Sequence, residues 1–209
     1  MALQIFNTAS RQKELFEPLV PKEVSMYVCG ITPYDETHLG HGRAYVAFDV
    51  IRRYLEYSGY TVRYMQNITD IDDKIIKKAA DSLTSIEMIA EKYTNSFFDV
   101  MDKLKVKKAS GYPKATEHIK EMVEFTRSLE DKGFAYSAGG DVYFDISKFG
   151  AYGQLSKRDI EGMLSGARVE VNDKKKNPLD FVLWKAAKEG EPSWESPWGK
   201  GRPGWHTEC

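Results

Sequence analysis

Cysteine is nearly missing from this sequence: its 209 residues hold two, Cys29 and Cys209, far apart along the chain. That scarcity excludes a disulfide-stapled extracellular fold and points to a reducing compartment. No apolar run approaches the roughly 18 residues of a membrane-spanning helix, and the first residues lack the apolar core of a signal peptide. A cytoplasmic protein with no membrane partner is expected. Charge of one sign is lacking too, since 30 Lys and Arg against 31 Asp and Glu leave a net charge of −1. No overall basic field is available to hold nucleic acid, so such a partner has to be met by a local patch or by sequence outside this chain. Repeats and low-complexity tracts are absent, and nothing calls for an obligate protein partner. A chain of this length buries roughly 70% of its extended surface, enough for one core carrying a sizeable insertion.

What is present concentrates between Cys29 and His41. Residues 24–30 alternate Val24, Met26 and Val28 with Ser25 and Tyr27, the pattern of a short strand. Beyond the loop, Ala44, Ala47, Phe48, Ile51, Tyr54 and Leu55 recur every three or four residues, which predicts a helix with one apolar face. The loop therefore joins a strand end to a helix start. Proteins of the α/β class hold phosphates there, because the first helical N–H groups have no partner and the helix dipole favours an anion. Gly40 and Gly42 allow a ligand close to the backbone. His38 and His41 bracket Gly40, and each can offer a ring N–H to phosphate oxygens that gain charge in a transition state. The pattern by itself leaves two readings open, an anion site and an ordinary strand-to-helix turn.

Residues 61–68 read as a second strand, with Val62, Tyr64, Gln66 and Ile68 on one face. With the intervening helix this makes a β-α-β unit, whose right-handed crossover implies a parallel, Rossmann-like sheet. At its exit, Thr69 and Asp70 sit where a ligand beside the first loop would lie, while Asp72 and Asp73 suit the first turn of a helix. Thr84-Ser85-Ile86-Glu87 has capping-box spacing before an apolar face running from Ile86 to Leu104. Pro113 and Thr116 introduce a further helix ended by Gly133. Residues 136–141, from Tyr136 through Gly139-Gly140 to Asp141, read as a hairpin turn between residues 134–136 and 142–144. Residues 148–176 are polar and glycine-containing and read as an irregular insertion. The run Lys174-Lys175-Lys176 there is either a solvated face or a contact for RNA phosphates. Residues 180–184 return to strand-like sequence, and a Gly- and Pro-punctuated loop follows, carrying Trp194, Trp198 and Trp205. The chain stops on the dense cluster Gly204-Trp205-His206-Thr207-Glu208-Cys209 with no closing element, so a longer protein is expected.

Four segments, in order, resemble the cysteinyl-tRNA synthetase family. They are residues 26–32 (Met26-Tyr27-Val28-Cys29-Gly30-Ile31-Thr32), His38-Leu39-Gly40-His41, residues 67–74 from Asn67 to Lys74, and residues 201–209 from Gly201 to Cys209. The second resembles the HIGH signature of class I synthetases, with leucine in place of isoleucine. The resemblance implies an α/β fold with a Rossmann-like nucleotide-binding parallel sheet, interrupted by a mixed α/β connecting insertion and truncated before the C-terminal part of the catalytic domain. The boundaries expected are 1–110 for the first half of the Rossmann-like domain, 111–178 for the insertion, and 179–209 for the return.

It also implies chemistry. Cysteine carboxylate attacks the α-phosphate of ATP, accompanied by magnesium; pyrophosphate leaves, and the cysteinyl group passes to tRNA(Cys). His38 and His41 take the catalytic positions, with Thr32, His38, Gly40 and His41 at ATP. Gly30, through its backbone, Thr69 and Trp205 match positions that bind cysteine. Cys29 and Cys209 match two of four zinc ligands, and the other two, a histidine and a glutamate, belong to sequence after residue 209. Zinc taking the substrate thiolate would separate cysteine from serine, since oxygen is a poorer partner than sulfur. Without the resemblance the two cysteines read as inert, buried thiols in preference to metal ligands. A related ligase joining cysteine to an amino sugar shares the activation step and remains the closest alternative. A further one is a piece with no activity of its own, because the lysine-rich ATP loop and the anticodon-binding domain of the family are not in these residues.

Overall fold

The computed structural model describes residues 3–157 and 173–209. In chain order the elements are β1 (Gln4–Asn7), β2 (Gln12–Leu15), β3 (Glu23–Ile31), α1 (Leu39–Tyr57), β4 (Thr61–Ile68), α2 (Asp73–Asp81), α3 (Ile86–Lys103), α4 (Ile119–Asp131), β5 (Ala135–Ala138), β6 (Asp141–Phe144), β7 (Phe181–Ala186) and β8 (Gly201–Pro203). They form two compact units, one of Pro18–His118 with Glu208–Cys209, the other of Met1–Glu17 with Ile119–Thr207.

The first unit is the β-α-β arrangement that the apolar patterns imply. β3 and β4 are parallel, with Val24 opposite Val62 and Val28 opposite Gln66, and α1 makes the crossover. Past Val28 the register slips and Ile31 meets Ile68, so Cys29 and Gly30 lie in a bulge. Such an extra residue bends the strand and re-aims its side chains. β4 is buried along most of its length, at Val62, Tyr64, Gln66, Asn67 and Ile68. On its far side residues 110–114 run parallel to it, with Ser110 N–H on the Tyr64 carbonyl (2.7 Å) and Ile68 N–H on the Pro113 carbonyl (2.9 Å). Pro113 is compatible with that edge because only its carbonyl is used. The sequence reading placed residues 111–118 in the insertion; they are instead hydrogen-bonded into this unit. Apolar side chains of α1 and α3 fill the core, where the rings of Tyr45 and Phe97 meet edge-on with centroids 5.1 Å apart. Ile75 and Ala79 of α2 pack with Ile89, Ala90 and Tyr93 of α3.

The second unit holds an antiparallel sheet in the order β5-β6-β7-β8, with β1 and β2 as a separate hairpin. Its core joins Ala135, Val142, Leu183 and Trp184 to Ile119, Val123 and Leu129. The turn between β5 and β6 is tighter than the sequence suggested. Gly139 and Gly140 alone form it, both with positive φ (60° and 83°), as a two-residue hairpin turn of primed type requires. Asp180 is buried and anchors the sheet by accepting from the Tyr136 hydroxyl (2.7 Å) and the Ile146 N–H (3.1 Å). Two elements escaped the sequence reading. The β1–β2 hairpin is exposed throughout and carries no apolar alternation. β8 lies inside the Gly- and Pro-rich stretch, where Gly201 is needed because a Cβ there would sit 2.2 Å from the Trp184 indole nitrogen. Of the polar stretch 148–176, Gly162 and Gly166 lie outside the described residues. No helix among the described residues is long and apolar enough to cross a membrane.

Candidate active site

The first unit brings Cys29, Gly30, Thr32, His38, Gly40, His41, Thr69 and Cys209 into one body. His38 is the N-cap of α1, with an extended backbone (φ −110°, ψ 172°). Its Nδ1 accepts the Gly40 N–H at 3.1 Å, and Nδ1 of His41 accepts the His38 N–H at 3.3 Å. The two imidazoles thus fill both places of a capping box otherwise built from Ser or Thr and Glu. The rings stack, with centroids 3.9 Å apart and planes 17° from parallel. Because each Nδ1 is an acceptor, each neutral ring carries its proton on Nε2. Burial, and then the charge of His38, lower the pKa of His41 below the usual histidine value. Two stacked rings whose Nε2 atoms are not used by the cap therefore stand at the positive end of a helix of 19 residues.

Cys29 and Cys209 are not joined in a disulfide, both are exposed, and their sulfurs are 3.7 Å apart. A disulfide requires about 2.05 Å. Two thiolates on a tetrahedral zinc at about 2.3 Å each would be about 3.8 Å apart. The spacing suits two ligands of one metal ion. Burial, followed by the Glu208 carboxylate, pushes the Cys209 thiol up to about 12. The Tyr45 hydroxyl donates to the Cys29 carbonyl at 3.3 Å and ties the bulge to α1.

Gly30 has a steric duty. A Cβ there would lie 1.5 Å from the Asn67 carbonyl oxygen, so the bulge closes on β4 only with glycine. Its N–H donates to Asn67 Oδ1 at 2.7 Å and is thereby engaged within the protein. Thr69 accepts from Asn67 Nδ2 at 3.1 Å and donates to Glu208 Oε1 at 2.9 Å. Asn67, Tyr27 and Glu208 were not singled out from the sequence, although all three stand inside the segments that carry the resemblance. A buried polar side chain in a strand reads as a mere exception to the apolar pattern until its partners are seen.

Other expected residues have different surroundings. Asp70 takes the Thr116 hydroxyl (2.6 Å) and N–H (3.0 Å) and so fastens the turn Ala115–His118, which makes it structural. Asp72 caps α2 through the Lys74 N–H at 2.9 Å. Trp205 belongs to the second unit, where it is exposed, stands edge-on to Phe181 with centroids 6.1 Å apart, and extends the β8 pairing through its N–H to the Val182 carbonyl. In the lysine run, Lys174 pairs with Asp141 at 2.8 Å and Lys176 lies 4.2 Å over the Tyr136 ring, so both brace the β5–β6 hairpin.

Residues 15–209 match the family described as tRNA synthetases class I (C) catalytic domain. The chain belongs to that family. It is similar to the cysteine–tRNA ligase of Thermococcus kodakarensis, with 57% identity over 209 residues that cover 100% of this chain and 44% of that protein. It is likewise similar to the cysteine–tRNA ligases of Trichodesmium erythraeum (54% identity, 100% of this chain and 44% of the relative) and Aquifex aeolicus (53%, 100% and 42%). The chain thus spans less than half the length of these relatives. Among solved structures, methionyl-tRNA synthetase of Mycobacterium tuberculosis in complex with methionyl-adenylate superposes with a TM-score of 0.49 at 22% identity, covering 54% of this chain and 23% of that one. Membership in the class I synthetase family agrees with the expected α/β fold and parallel sheet.

Proposed function

We propose that the protein to which these residues belong activates L-cysteine with ATP and transfers the cysteinyl group to tRNA(Cys). The observation that carries this reading is the approach of Cys29 and Cys209, whose sulfurs meet at a spacing suited to a shared metal ion although they lie 180 positions apart in the sequence. The high identity to cysteine–tRNA ligases supports the same substrate. Bound zinc would supply a Lewis acid that takes a thiolate in preference to a hydroxyl.

The chain's own residues supply the rest. Nε2–H groups of His38 and His41, at the positive end of α1, hold the ATP phosphates and stabilise the charge that develops as pyrophosphate leaves. Thr32 and Gly40 lie on the same loop as backbone contacts for ATP, and magnesium accompanies the nucleotide. Thr69 and the backbone of Gly30 face the amino acid. No side chain in the site is required as a covalent nucleophile, so rate derives from positioning and electrostatics. A cytoplasmic location suits two thiols this close that have to stay reduced.

The test is cysteine-dependent ATP–pyrophosphate exchange by the full-length protein, run in parallel with serine, followed by charging of tRNA(Cys) and ligation to an amino sugar as separate acceptor assays. Exchange with cysteine and transfer to tRNA are expected. Equal exchange with serine, or transfer to the sugar amine alone, would overturn the reading.

A further inference from the structure

Asn67, the last residue but one of β4, is almost fully buried, at 3% exposure, and its whole side chain is used by residues of the site. Oδ1 accepts the Gly30 N–H at 2.7 Å and the Tyr27 hydroxyl at 3.0 Å, while Nδ2 donates to Thr69 Oγ1 at 3.1 Å. The backbone N–H of Gly30 can only donate, so the amide cannot be reversed: oxygen has to face Gly30 and nitrogen has to face Thr69. With one Thr69 lone pair taken by Nδ2, the Thr69 proton is directed outward, where it meets Glu208 Oε1 at 2.9 Å. The hydrogen bonds therefore run in one direction, from Asn67 through Thr69 to Glu208, and the same amide clamps the bulge that carries Cys29.

We propose that Asn67 is a positioning residue for recognition of the amino acid, acting by fixing the direction of the Thr69 hydroxyl and the place of Gly30. This rests on the reading above, in which Thr69 and the Cys29–Gly30 bulge receive the substrate cysteine. The histidines that hold ATP in that reading have no part in the Asn67 network, whose members are Tyr27, Gly30 and Thr69. Loss of the network should therefore be felt in cysteine binding and not in ATP binding.

The variant Asn67→Asp preserves size and both acceptor contacts but presents an oxygen to Thr69, so the threonine proton has to turn inward. In ATP–pyrophosphate exchange by the full-length protein, it should raise KM for cysteine at least tenfold, leaving KM for ATP within twofold and zinc content unchanged. In a Thr69→Val background the same substitution should add less than a twofold change, since the group it acts through is gone. A purely structural Asn67 predicts the opposite: both KM values move, or the two effects multiply, and either result overturns the proposal. Because Asn67→Asp places a charge in a buried position, Tyr27→Phe is the milder companion. It removes one of the two donors that orient the amide and should raise KM for cysteine by a smaller factor that also vanishes in the Thr69→Val background; no rise overturns the proposal. A native protein without cysteine-dependent exchange removes the functional reading and this inference together, whereas an active native protein indifferent to Asn67→Asp removes this inference alone.

Discussion

His38 and His41 cap the helix they begin, each ring nitrogen Nδ1 accepting a backbone N–H of the other's turn while the rings stack 3.9 Å apart. One pair of side chains thus closes the helix and, by the same hydrogen bonds, decides which nitrogen of each ring is left to face a ligand. Stability and chemistry are coupled at these two positions, and substitutions can separate them.

Asn at position 38 can still accept the Gly40 N–H, but it lacks the outward Nε2–H. His38→Asn should keep the thermal midpoint near that of the native protein and reduce the exchange rate by about two orders of magnitude, the scale of a lost transition-state donor. His38→Ala should lose the same activity and about 1 kcal/mol of stability as well, measured by denaturant unfolding. His41→Ala should lower turnover more than it raises KM for cysteine.

The pH response follows from His41. Its pKa is lowered by burial and then by His38, so the folded state prefers the neutral ring and the unfolded chain takes up the proton first. The stability contribution is complete above the unfolded value of about 6.5 and is lost as pH falls through that value toward the folded one. The thermal midpoint should decline on acidification through this range, and His41→Gln should flatten the decline. Protonation on Nδ1 would also break the cap, so exchange should fall in the same window.

Gly30→Ala is expected to be among the most damaging small substitutions, since a methyl group would overlap the Asn67 carbonyl. A loss of about 3 kcal/mol or more is expected, beyond typical overpacking, because the obstruction is backbone on both sides. A shift in the urea midpoint at constant slope would measure it.

Cys29→Ser tests the metal assignment. With one of two thiolates gone, zinc affinity of the full-length protein should fall at least tenfold in a chelator competition, and the preference for cysteine over serine in exchange should shrink with it. Full metal occupancy in this variant would remove Cys29 from the site.

Much of the first unit was legible in the sequence because its signals are local. Alternation in residues 24–30 and 61–68 became β3 and β4, and the three- and four-residue spacing after the loop became α1. The segment 110–114 was not legible, since its strand character consists of backbone hydrogen bonds to β4 and not of side-chain pattern. Asp70 shows the reverse error: a carboxylate at a strand exit resembles a ligand contact, yet it is engaged by Thr116, a distant residue that only the fold brings near.

The sequence by itself determined the parallel β-α-β unit, the placing of two histidines at a helix start, and the family, because periodicity, glycine and motif order are properties of neighbouring residues. Only the tertiary structure decided the direction of the hydrogen bonds through Asn67 and the 3.7 Å meeting of Cys29 with Cys209. Those depend on a bulge in β3 and on the return of the chain's last residues to the first unit, long-range contacts that a one-dimensional pattern does not encode.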